Sequence, residues 1–118
     1  MFSDVFIDEN SFLAIVENHT GGTIASAWKE GYRDQSLVIK FKEEEARDRF
    51  EHDRYGFVYS LDSGRVYLSG MLPRDSEKFS LKAMYEADHP EVSVIDVRGT
   101  HGGFTVKIRT KDERRHHQ

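Results

Sequence analysis

Apolar residues recur along this chain at two spacings, and the spacings divide it into short elements. The clearest run is Ser36-Leu37-Val38-Ile39-Lys40-Phe41, whose length and β-branched content predict a strand. It leads into Glu43-Glu44-Glu45-Ala46-Arg47-Asp48-Arg49-Phe50. There the spacing of Ala46 and Phe50, behind acids in the first turn, predicts an amphipathic helix. Two strand-like runs follow, Gly56–Leu61 and Arg65–Ser69, joined by the turn signal Asp62-Ser63-Gly64. Asp75 or Ser76 can then cap a helix that places Phe79, Ala83, Met84 and Ala87 on one face, and Pro90 marks its end. Strands at Val92–Val97 and Phe104–Arg109 flank Gly99-Thr100-His101-Gly102-Gly103. In the last strand Phe104, Val106 and Ile108 alternate with Thr105, Lys107 and Arg109, so one face is apolar and the other basic.

The first 34 residues are less regular. Asp4–Asp8 reads as a strand. Phe12, Leu13, Ile15 and Val16 fit either a helix or a strand. Ile24, Ala27 and Trp28 have helical spacing, while Ile24, Ser26 and Trp28 have strand spacing. Short apolar runs do not separate the two by period alone. The expectation is a strand at 4–8 and one helical segment within 11–30.

From residue 36 the order is β-α-β-β-α-β-β, and its first six elements resemble the ferredoxin-like order with an extra strand appended. The expected class is therefore α+β: a largely antiparallel sheet with two or three helices on one face. Neither a repeat nor a linker interrupts the 118 residues, so one compact domain over 1–118 is expected, with a flexible basic tail at about 111–118.

Charge is distributed unevenly. Residues 1–97 hold 11 Lys/Arg against 19 Asp/Glu, whereas residues 98–118 hold 6 against 2. The formal charge thus changes from −8 to +4 along the chain. Arg98, Lys107, Arg109, Lys111, Arg114 and Arg115 form the candidate contact set for an anionic partner, either nucleic acid or an acidic protein surface. A net charge of −4 opposes general attraction to phosphate. The absence of cysteine excludes disulfides, thiolate zinc sites and thiol nucleophiles, and fits a cytoplasmic setting. No apolar run reaches the ~20 residues that span a bilayer, so no membrane contact is expected.

Other candidate chemistry is incomplete. Val16-Glu17-Asn18-His19-Thr20-Gly21-Gly22-Thr23-Ile24-Ala25 resembles the threonine loop of L-asparaginases, which would make Thr20 or Thr23 a nucleophile. The second motif of that family, adjacent Thr and Asp beside a lysine, has no match here, and the stretch also reads as a glycine turn. Arg54-Tyr55-Gly56-Phe57-Val58-Tyr59 resembles part of the aromatic strand motif of RNA recognition motifs, with Phe57 and Tyr59 as candidate aromatic contacts for bases. The other reading of that pair is core packing.

Glu43-Glu44-Glu45 would point about 100° apart on a helix and do not converge on an ion. His19, His52, His89 and His101 lack metal-ligand spacing. Asp96 and Lys107 lack the second acid of a metal-nuclease pattern, because Thr105 stands at its place. No catalytic residue, metal site or cofactor is therefore expected. The chain reads as a non-enzymatic regulator, adaptor or inhibitor working by protein–protein contact, with homodimerisation open through exposed sheet edges. The alternative is a ferredoxin-like nucleic-acid-binding module.

Overall fold

The computed structural model describes residues 1–42, 57–65 and 77–111. Those residues form six strands and two helices: β1 (Phe2–Asp8), α1 (Glu9–Thr20), β2 (Ile24–Glu30), β3 (Ser36–Phe41), β4 (Phe57–Ser60), α2 (Leu81–Asp88), β5 (Val92–Thr100) and β6 (Gly103–Thr110). The class is α+β, with every strand pair antiparallel. The expected helix at 43–50, most of the strand at 65–69, the caps Asp75 and Ser76, and the tail beyond Lys111 lie outside the described residues.

Local sequence accounts for each boundary. Asp8 ends β1 in an extended conformation, and its carboxylate accepts the Ser11 N–H at 2.7 Å, capping α1. The helix stops at Gly21, whose left-handed φ of 74° lets its N–H reach the Glu17 carbonyl. Ile24–Glu30 is a strand although Ile24, Ala27 and Trp28 have helical spacing. Its pairing along β3, from Glu30 opposite Ser36 to Ile24 opposite Phe41, decides what periodicity left open. Ser80 caps α2 by accepting the Ala83 N–H at 3.2 Å. Phe79 therefore precedes that helix, which buries Leu81 and Met84 and leaves Ala87 exposed.

The strands form two three-stranded sheets, ordered β1-β6-β5 and β2-β3-β4. Two sheets thus stand where one was expected, and the ferredoxin-like order with its extra strand is not confirmed among the described residues. β3 and β4 are direct antiparallel neighbours, and β5 pairs with β6. The N-terminal strand explains the difference: Val5 and Ile7 lie opposite Val106 and Phe104 and extend their apolar face.

The two sheets share one core. Phe12 of α1 meets Phe104 of the first sheet at 4.9 Å and Tyr59 of the second at 4.8 Å, between ring centres. Phe57 continues the aromatic series to Tyr59, Phe41 and Phe79. Backbone contacts close the join. The Gly99 N–H donates to the Asp62 carbonyl at 2.8 Å, and a Cβ at Gly99 would come within 1.5 Å of the Leu61 carbonyl oxygen. Only glycine allows that approach.

Candidate contact surface on the first sheet

Register fixes the outer face of the β1-β6-β5 sheet. Arg109 lies between Phe2 and Ser93, Lys107 between Asp4 and Asp96, and Thr105 between Phe6 and Arg98. Directly opposite residues share a face and approach within about 5 Å at Cβ. A bulge between Val94 and Asp96 turns Ile95 outward as well.

Arg98, Lys107 and Arg109 are therefore brought onto one exposed face, but not as an uninterrupted basic row. Lys107 is flanked by carboxylates from both neighbouring strands. The Arg98 guanidinium donates from Nε to Asp96 Oδ2 at 2.8 Å. Lys111 follows β6, its N–H on the Glu91 carbonyl. Its ammonium also bears on Glu86. Partial burial raises that carboxyl's pKa, but the Val94 N–H, Lys82 and Lys111 together outweigh burial and hold it below the usual range. Arg114 and Arg115 lie outside the described residues.

The aromatic assignment changes. Phe57 and Tyr59 are fully buried among Phe12, Phe41 and Phe79, so neither offers a ring to a base. The aromatics beside the cations are instead Phe2 and Phe6, 60% and 56% exposed. Sequence reasoning passed over them, although a signal was present. Alternation over residues 1–8 groups Phe2 and Phe6 with Asp4 and Asp8, and two aspartates mark a solvent face.

Thr20 is buried, and its hydroxyl donates to the Val16 carbonyl at 2.7 Å. The Gly21–Thr23 stretch joins α1 to β2. His19 Nε2 lies 3.0 Å from Asp88 Oδ1 and ties the end of α1 to the end of α2. Among the described residues no three His, Asp or Glu side chains group as metal ligands, and no helix is long and apolar enough to cross a membrane.

No family model, curated protein or solved structure matches this chain.

Proposed function

We propose that this protein is a non-enzymatic regulator, adaptor or inhibitor in the cytoplasm, which binds a protein partner through the outer face of the β1-β6-β5 sheet. The observation that carries this reading is the grouping of exposed Phe2, Phe6 and Ile95 around the row Asp4–Lys107–Asp96. Large apolar side chains left in water on a rigid sheet mark a contact site. Aromatic and arginine side chains are the usual anchors of protein interfaces. Charges of both signs suit a partner surface of mixed charge, because Asp4 and Asp96 would repel a polyanion beside Lys107.

A second reading has one observation in its favour. Phe2 and Phe6 flank Arg109 and Lys107 on an exposed antiparallel sheet, an arrangement that can stack bases and hold phosphates. That is the nucleic-acid-binding module expected as the alternative, with its aromatics moved to β1.

Affinity capture from the native host, with and without nuclease, separates the two. The protein reading expects a partner that survives nuclease and is lost with Phe2→Ala/Phe6→Ala. Release by nuclease overturns it. A triple Lys107→Gln/Arg109→Gln/Lys111→Gln variant tests the cations. With an acidic protein patch, association slows and loses salt sensitivity while dissociation changes less. With nucleic acid, affinity falls and the salt slope shrinks by about one per lost phosphate contact. Unchanged affinity and slope would remove the cations from the site.

A further inference from the structure

The two edges of the β1-β6-β5 sheet are managed differently. On the β5 side the edge is closed at several points. The Val94 N–H is taken by the Glu86 carboxylate at 2.8 Å, the Gly99 N–H by the Asp62 carbonyl at 2.8 Å, and a bulge at Ile95 distorts the strand between them. These are standard ways of blunting an edge against further pairing. Among the described residues the β1 side has none of them. Its seven residues contain no proline, no lysine and no bulge, and no described residue hydrogen-bonds to its outer side.

The backbone groups on that open edge can be named. Thr100 and Gly103 close a two-residue hairpin, so the odd-numbered residues of β6 bond to β5 and the even-numbered ones to β1. The Glu9 N–H on the Gly102 carbonyl follows the same phase. Ser3, Val5 and Ile7 therefore bond to β6, and Phe2, Asp4 and Phe6 present N–H and C=O groups outward.

We infer that β1 pairs antiparallel with β1 of a second copy, joining two three-stranded sheets into one across a two-fold axis. The occupant is argued from charge and register. The outward groups belong to even-numbered residues, so even must face even. Centring the axis on Val5 sets Phe2 opposite Asp8 and Asp4 opposite Phe6 of the second copy, and pairs Val5 with Val5. All seven residues then pair, and no carboxylate faces another. Moving the centre by one residue either way opposes Asp4 to Asp4 or Asp4 to Asp8, which like-charge repulsion disfavours. The strand thus specifies one self-pairing register. Val5 gives independent support. It belongs to the apolar inner face and packs against the core, yet is only partly buried. The pairing would complete its burial and set two copies of the Phe2–Phe6 surface side by side. It concerns the edge and does not depend on what the outer face binds.

Sedimentation equilibrium over a wide concentration range tests the pairing, together with oxidation of single-cysteine variants in this cysteine-free chain. The expected mass approaches twice 13.7 kDa. Asp4→Pro removes an outward N–H while leaving the bonds to β6, and should give a folded monomer with an unchanged circular dichroism spectrum. Val5→Cys sets two thiols on a non-hydrogen-bonded pair, with Cα atoms about 4.5 Å apart, within disulfide range. It should form a disulfide-linked dimer, whereas Ser3→Cys, opposite Ile7, should not. A wild-type monomer at every concentration would overturn the inference. So would cross-linking through Ser3→Cys in place of Val5→Cys.

Discussion

Tyr59→Phe should stabilise this protein. The Tyr59 side chain is fully buried, and its hydroxyl has no hydrogen-bond partner among the described residues. An orphaned buried polar group keeps its full desolvation cost, about 1–3 kcal/mol. Phenylalanine removes that group and keeps the ring, including the edge contact to Phe12 at 4.8 Å and the tilted contact to Phe57 at 5.9 Å. Losing one oxygen leaves a small gap whose lost packing offsets part of the gain. The expected net gain is about 1–2 kcal/mol. At this chain length each kcal/mol moves the thermal midpoint by roughly 3–6 °C. Urea unfolding should show a higher midpoint with an unchanged slope, since the surface exposed on unfolding barely changes.

The pH dependence gives a second readout of the same hydroxyl. Burial pushes the phenol's pKa far above its ordinary value. The native state therefore keeps the proton at pH values where the unfolded chain releases it. Stability tied to Tyr59 is full below about pH 10 and falls above it, by about 1.4 kcal/mol per pH unit. The gain from Tyr59→Phe should be constant below pH 10 and widen above it. A loss of more than about 0.5 kcal/mol at neutral pH would refute the reasoning, because it would mean that the hydroxyl is satisfied.

Four further substitutions probe the rest of the framework. Phe12→Ala should cost about 3–5 kcal/mol in chemical denaturation, because it opens a cavity between Phe104 and Tyr59; a loss under about 1.5 would mean that α1 does not join the sheets. Gly99→Ala should cost about 2–4 kcal/mol, because its neighbour is the Leu61 backbone, whereas Gly102→Ala, with φ of 82° and open space around it, should cost only about 1. Equal midpoints for the two glycine variants would contradict the close approach at Gly99. Glu86→Gln should lose about 1 kcal/mol at neutral pH by weakening the charged bond to the Val94 N–H. With its folded pKa depressed, Glu86 contributes above the unfolded value and loses that contribution as pH falls through the folded one, so wild type and variant should converge only once the pH has dropped below the ordinary glutamate range. A constant difference across the acid range would argue against that bond.

What the sequence disclosed follows from how local each determinant is. The 36–41 strand, the 57–60 strand and the final hairpin were legible because alternation, apolar runs and turn residues act within a few positions. The helix Glu9–Thr20 begins two residues before the 11–30 range expected to hold it, since its cap Asp8 also reads as the end of a strand. Partnership between strands distant in the chain was not legible. Nothing near Phe2–Asp8 says that it lies beside Gly103–Thr110, and nothing near Ile24–Glu30 says that β3 will hold it extended. Phe57 and Tyr59 had two readings for the same reason. Alternation put them on one face, but only the arrival of Phe12 from α1 decides that the face is internal.

The charge asymmetry shows the same division between what is local and what the fold adds. Counted along the chain, the last 21 residues are basic and the rest acidic. Counted across the sheet, Lys107 stands between Asp4 and Asp96, and Arg98 rests on Asp96. Antiparallel pairing folds the acidic N-terminus alongside the basic C-terminal strand and converts a sequence-level block into a surface of alternating sign. Such a surface has little long-range pull on a polyanion, because fields of opposite sign cancel beyond a Debye length of about 8–10 Å. It retains short-range selectivity, since a partner must match each sign in register. Arg109 is the exception on this face. Phe2 and Ser93 lie directly opposite it, so no cross-strand carboxylate offsets its field. Among the described cations, Arg109 beside exposed Phe2 is therefore where an acidic or aromatic group of a partner would gain most. By the same geometry, reversing Asp4 or Asp96 to lysine would expose a field that the native fold suppresses.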